Sequence, residues 1–270
     1  QVRKTYDGTN STSAATFGSD SLNDPLHVNL NLNSPTFTYS QANVGTSLTV
    51  TANAAYTINP VHSKHGTVYG LATSGTAQTL SGRINTKDVV VRGQRFYDAT
   101  TNMYPANFSV QSGLIGSETL TFGGSNDTFN TMVANESGFT SVALSNVILA
   151  DGSNGGLASN YNLSSADFQI QKRPLAVQVQ RQYDGTATFS STDNVFFEFQ
   201  TMSNPPANLV GRTGVGLETL SLTGTGTTSG SASNAGSYDI SGFTLADGTA
   251  ASSNYTITGN VRGVIQQRIL

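Results

Sequence analysis

The chain has 270 residues, of which Ser, Thr, Asn and Gly supply 32, 36, 24 and 28, while charged residues supply only 11%. A net charge of −3 leaves no basic surplus to neutralise phosphates, and no run approaches the ~18 apolar residues of a membrane span, so nucleic acid and membrane insertion are both set aside. Cysteine is absent, which removes disulfides, thiolate metal sites and a Cys nucleophile, and the 23 Phe and Tyr argue against disorder.

From the N-terminus, Val2-Arg3-Lys4-Thr5-Tyr6-Asp7-Gly8-Thr9 reads as a strand running into a turn. Gln1-Val2-Arg3-Lys4 carries no signal peptide, so the chain is expected to be a fragment of a longer one. Val28, Leu30 and Leu32 alternate with Asn29 and Asn31, the period of a half-buried strand. Asn59-Pro60-Val61-His62-Ser63-Lys64-His65-Gly66 reads as a polar surface loop. The opening then returns as Val91-Arg92-Gly93-Gln94-Arg95-Phe96-Tyr97-Asp98-Ala99-Thr100, and again as Val179-Gln180-Arg181-Gln182-Tyr183-Asp184-Gly185-Thr186. Later landmarks recur in the second and third copies only. Gly116-Ser117-Glu118-Thr119-Leu120 matches Gly216-Leu217-Glu218-Thr219-Leu220. Leu149-Ala150-Asp151-Gly152 matches Leu245-Ala246-Asp247-Gly248, and Ser159-Asn160-Tyr161 matches Ser253-Asn254-Tyr255.

The signature tyrosines lie 91 and 86 residues apart, which defines tandem modules over 1–87 (divergent), 88–173 and 174–270. Leu175, Val177 and Val179 alternate with Ala176, Gln178 and Gln180, giving one buried and one wet face, and no long window shows a 3.6 period. The class is therefore all-β: three tandem antiparallel modules, each sandwich-like or, alternatively, β-grasp-like. Ile170-Gln171-Lys172-Arg173-Pro174-Leu175 joins modules without a Gly/Ser linker, so the modules are expected to stack as an elongated rod.

In the signature, Asp accepts backbone N–H groups of the turn and Gly takes a positive φ. Tyr6, Tyr97 and Tyr183 are each expected to bury the ring and bond the hydroxyl, with Asp7, Gly8, Asp98, Asp184 and Gly185 as structural partners. The Tyr-Asp-Gly-Thr openings, the Asn-Tyr-Thr-Ile segment and the Lys-Arg-Pro-Leu-Ala-Val junction together resemble the YDG/MBG-type repeats of filamentous-haemagglutinin-like bacterial adhesins. The resemblance covers essentially the whole chain, departing at Ala99 and through most of the second half of module one. It implies stalk or matrix-associated repeats of a secreted or cell-surface protein of a Gram-negative bacterium, and it carries no catalytic residues.

Candidate chemistry is sparse. His62-x-x-His65 could approach one metal, but no Cys or close acid completes a set, and His27 stands alone. Asp151-Gly152-Ser153-Asn154 offers loop oxygens for calcium without the EF-hand order. Glu118 and Glu218 hold equivalent positions and read as a repeated strand-end feature rather than a glycosidase pair. No Gly-x-Ser-x-Gly elbow supports a Ser-His-Asp triad. Only Lys4, Lys64, Lys87 and Lys172 exist, which excludes a Lys–Asn staple common to all modules. Tyr39, Tyr56, Tyr69 and Tyr104 lie outside the signature and are the candidate platforms for a glycan. No catalytic residue and no cofactor is expected. The function read from sequence is a structural or adhesive segment presenting a binding region or crosslinking cells and matrix. Its expected partners are extracellular polysaccharide or a cell-surface receptor, with further repeats in a longer chain. The rival readings are a carbohydrate-binding module and a secreted hydrolase.

Overall fold

A computed structural model describes residues 2–13, 16–17, 28–60, 78–134, 138–197 and 209–269. These residues are folded almost wholly as curled β-sheet, and helix among them is confined to short 3₁₀ turns. None of those turns is long and apolar enough to cross a membrane. The chain divides into two compact units, residues 1–92, 109–124 and 147–166, and residues 93–108, 125–146 and 167–270. The division runs through the segment 88–173 that sequence marks as one module.

The first unit contains β1 (Val2–Thr5), β2 (Ser11–Thr12), β3 (Thr16–Phe17), β4 (Val28–Tyr39), β5 (Gly45–Pro60) and β6 (Gln78–Asn85). They form one sheet in the order β2-β4-β5-β6-β1-β3. Alternation does the folding: Phe37 and Tyr39 of β4 and Val50 and Ala52 of β5 are buried, while Thr36, Thr38 and Thr51 face out. Gly82 of β6 is required by closeness. A Cβ there would come within 2.2 Å of Val50 Cγ2 and 2.9 Å of the Tyr39 ring.

The middle of the chain supplies β7 (Lys87–Phe96), β8 (Asn102–Met103), β9 (Phe108–Ser112), β10 (Leu120–Gly124), β11 (Asp127–Thr128), β12 (Thr140–Val142), β13 (Val147–Asp151) and β14 (Tyr161–Gln171). β12-β14-β7-β9 make a four-stranded sheet, and β10 with β13 and β8 with β11 make two-stranded ribbons. Along β7 every second residue, Val89, Val91, Gly93 and Arg95, is buried.

The second unit holds β15 (Arg173–Leu175), β16 (Val177–Gln182), β17 (Thr188–Ser190), β18 (Asn194–Phe197), β19 (Leu220–Thr228), β20 (Gly236–Asp247), β21 (Tyr255–Ile257) and β22 (Val261–Gln266). Its six-stranded sheet has the order β17-β19-β20-β22-β16-β18, the order of the first sheet strand for strand. Register repeats as well. Val2 lies opposite Gly82 and Lys4 opposite Ile84, as Val179 lies opposite Gly263 and Arg181 opposite Ile265.

Two expectations are corrected. The sheets are mixed rather than antiparallel, because β1 runs parallel to β6 and β16 parallel to β22. β16 also lacks a wet face: Gln178 and Gln180 are buried along with Val177, Val179 and Arg181. β16 lies inside the sheet between β22 and β18, where Gln178 stands opposite the buried Phe196, and the Gln178 and Gln180 amides meet at 3.5 Å.

Candidate functional site

Each signature loop is built around one carboxylate. Asp7 Oδ1 accepts the backbone N–H of Thr9 at 2.9 Å and its hydroxyl at 2.8 Å. Asp98 does the same with Thr100, and Asp184 with Thr186. The basic residue three positions earlier closes the loop. Lys4 lies 2.5 Å from Asp7, Arg95 2.6 Å from Asp98 and Arg181 2.5 Å from Asp184. Each also donates to the carbonyl of the loop threonine, Thr9, Thr100 or Thr186. Burial opposes ionisation of Asp7, but the bonds from Lys4 and Thr9 outweigh it and hold the carboxyl below its usual range. The Thr186 N–H and hydroxyl, with Arg181, do the same for Asp184. The residue after the Asp has positive φ in all three loops, +78° at Gly8, +60° at Ala99 and +82° at Gly185.

The loop aims the tyrosine. Tyr6, Tyr97 and Tyr183 each donate their backbone N–H at 2.9 Å to the last strand of their own repeat, at Asn85, Gln171 and Gln266. In the first unit the Tyr6 hydroxyl donates to Glu118 Oε1 at 2.6 Å, and the Tyr161 hydroxyl donates to Glu118 Oε2. The Tyr6 and Tyr161 rings meet edge to face, 5.4 Å apart at 80°. The second unit repeats this. The Tyr97 hydroxyl donates to Glu218 Oε1 at 2.7 Å, the Tyr255 hydroxyl donates to Glu218 Oε2, and the rings meet at 5.4 Å and 72°. Glu118 and Glu218 close tight turns, donating their N–H groups to Ile115 and Val215, with Gly116 and Gly216 at positive φ.

An asparagine completes each joint. Buried Asn160 accepts the Val44 N–H at 3.0 Å and donates to Asn43 Oδ1 at 3.0 Å. Buried Asn254 accepts the Ala134 N–H at 2.9 Å. Both follow the Ala-Asp-Gly landmark, whose carboxylate braces the 3₁₀ turn bearing the Asn. Asp151 accepts the Ala158 N–H at 2.7 Å, and Asp247 accepts the Ser252 N–H at 2.7 Å. Burial first, then the glutamate hydrogen bond, pushes Tyr6 and Tyr97 each up to about 12 and raises Tyr161 and Tyr255 as well. The glutamates thus act as half-buried acceptors, each tying two hydroxyls drawn from distant parts of the chain.

Tyr183 departs from the expected burial. Tyr6 and Tyr97 are each 4% exposed, whereas Tyr183 is 41% exposed, with no hydrogen bond to its hydroxyl among the described residues. Among the described residues no glutamate faces it as Glu118 faces Tyr6.

The other candidates scatter. Tyr39 is 1% exposed with its hydroxyl unbonded and the Lys4 ammonium 5.7 Å from its ring centre, so it offers no face to a glycan; this corrects the platform reading there. Tyr104 is half-buried and accepts from Asn102 Nδ2 at 3.2 Å. Tyr56 pairs with Leu32 in the β5–β4 ladder, while its side chain, together with Tyr69, His27, His62 and His65, lies outside the described residues. The Asp151 carboxylate is engaged by the turn it braces. No group of three metal-ligating side chains occurs among the described residues. Sequence reading singled out Glu118 and Glu218 as recurrent but not as partners of the tyrosines. The available signal was that Gly-x-Glu-Thr-Leu and Ser-Asn-Tyr occur together in two repeats and are both missing from the first. Comparison with protein-family models, with curated proteins and with solved structures finds no match to this chain.

Proposed function

We propose that the chain is a structural, adhesive repeat segment of a secreted surface or biofilm-matrix adhesin of a Gram-negative bacterium. In this reading it acts as a stalk or cell–matrix crosslinker and performs no catalysis. Its modules are 1–87, 88–173 and 174–270, of the YDG/MBG kind, and extracellular polysaccharide or a cell-surface receptor is the partner of the assembled protein. The observation that carries the reading is the Tyr–Glu–Tyr joint, built twice from residues that recur with the repeats. Investment of the most distinctive side chains in holding successive segments together is what a spacer needs. An enzyme would keep such groups free for substrate.

The test is an attachment assay on cells whose parent protein lacks residues 1–270. Attachment should fall and should return when an unrelated folded spacer of similar length replaces the segment. If only the native segment restores attachment, and Tyr104→Ala abolishes that restoration, the carbohydrate-binding reading replaces this one.

A further inference from the structure

The second unit presents half of a Tyr–Glu–Tyr joint with no other half among the described residues. Tyr183 is placed as Tyr6 and Tyr97 are, by a backbone bond to the closing strand and by a braced Asp loop, yet its ring is open. It lines a concave surface with Asp184, Gly185, Ala235, Gln267 and Arg268. Ala235 is the second unexplained group. Asn234-Ala235-Gly236 matches Asn43-Val44-Gly45, and the register agrees, since Gly45 stands opposite Ile84 and Gly236 opposite Ile265. Val44 and Ala134 give their N–H groups to Asn160 and Asn254, while the Ala235 N–H has no acceptor among the described residues. The following residues also repeat a junction. Ile265-Gln266-Gln267-Arg268-Ile269-Leu270 matches Ile170-Gln171-Lys172-Arg173-Pro174-Leu175. In the latter, Arg173–Leu175 forms β15 and pairs in parallel with β21, which begins at Tyr255. Ile269, the counterpart of Pro174, is 93% exposed.

We propose that this surface is the seat of one further repeat carrying Gly-x-Glu-Thr-Leu and Ser-Asn-Tyr. The glutamate of that repeat accepts the Tyr183 hydroxyl, its asparagine accepts the Ala235 N–H, and its Tyr-Thr-Ile strand pairs with Arg268 and Ile269. The first repeat of this chain is not the occupant, because it lacks both landmarks. A second copy of this chain therefore does not dock here through its residues 1–87. The inference rests on the repeat reading above, but its test is structural, so failure of attachment and failure of this seat are distinguishable.

The experiment compares the 270-residue chain with one in which a second copy of residues 176–270 follows Leu270, which preserves the junction register. Tyrosine nitration by tetranitromethane is mapped by peptide mass spectrometry. In the original chain Tyr183 reacts and Tyr97 is protected. In the extended chain Tyr183 gains protection of about tenfold or more, because modification then requires local opening of the new joint. Changing the appended copy's counterpart of Glu218 to Ala removes that protection. Unchanged Tyr183 reactivity beside a folded appended copy overturns the proposal, as does protection that survives loss of the glutamate. An appended copy that stays unfolded also overturns it, since the same residues fold when they follow Tyr97.

Discussion

The Tyr97 hydroxyl donates to Glu218 Oε1 at 2.7 Å across 121 residues of sequence. The same carboxylate takes the Tyr255 hydroxyl on its other oxygen, so one side chain fixes two rings against each other. Glu218→Ala strands the Tyr97 hydroxyl in buried surroundings and leaves the Tyr255 hydroxyl only Thr213 Oγ1, at 3.2 Å. At ~1–3 kcal/mol for the unsatisfied Tyr97 hydroxyl and ~1 kcal/mol for the bond Tyr255 loses, the variant is expected to lose roughly 2–4 kcal/mol in urea unfolding. A loss under about 0.5 kcal/mol, the scale of ordinary surface substitutions, would show that the joint contributes little.

The three signature tyrosines should respond unequally. Tyr97→Ala is expected to cost roughly 3–5 kcal/mol, as aromatic truncations in packed cores do. Tyr183→Ala, at an open ring, should stay within about 1 kcal/mol, in the range of surface changes. Equal shifts in denaturation midpoint for the two variants would contradict the difference in burial.

Alkaline pH should loosen the joints in a defined window. The folded values of Tyr6 and Tyr97 are raised to about 12, above the ordinary value of 10.0, so folding favours the protonated ring. That stability is fully present below pH ~10 and is lost as pH rises towards ~12, because the unfolded chain sheds the protons first. Melting temperature should hold up to pH ~10 and then fall steeply, and Tyr6→Phe with Tyr97→Phe should flatten the decline. A decline of the same steepness in that double variant would place its cause elsewhere.

Backbone strain gives a pair of opposite signs. Ala99 sits at φ +60° where its counterparts are Gly8 and Gly185. Ala99→Gly should stabilise by up to ~1 kcal/mol, and Gly185→Ala should destabilise by ~1 kcal/mol, since an L side chain is disfavoured in the left-handed region. Thermal melts of the two single variants decide it; shifts of the same sign would refute the strain argument.

Local chemistry was legible in the sequence and long-range pairing was not. The Asp-Gly turn is written in residues two apart, and Asp184 bonds Thr186 as the spacing predicts. The all-β class follows from period-two stretches such as Val28, Leu30 and Leu32 in β4. By contrast, Tyr6 and Glu118 are 112 residues apart, and no periodicity within a strand connects them. Tyr183 illustrates the same limit. Its strand parity is that of Tyr6 and Tyr97, but burial of the ring depends on a glutamate from elsewhere. The Val/Gln alternation of β16 likewise cannot announce that both faces are covered, because that depends on the sheet order β22-β16-β18.

The parallel pairing of β16 with β22, and of β1 with β6, bears on how the chain carries tension. In each pair the polypeptide arrives at one end of the ladder and departs from the other. The β16–β22 register covers Gln178 to Gln182 against Arg262 to Gln266, and that of β1–β6 covers Val2 to Thr5 against Gly82 to Asn85. Pulling on Val177 and Gln266 slides the two strands along one another, so every ladder bond is strained at once. Antiparallel neighbours gripped at a shared end would instead peel apart bond by bond. Each six-stranded sheet thus resists stretching in shear, a property set by strand direction rather than by any single side chain.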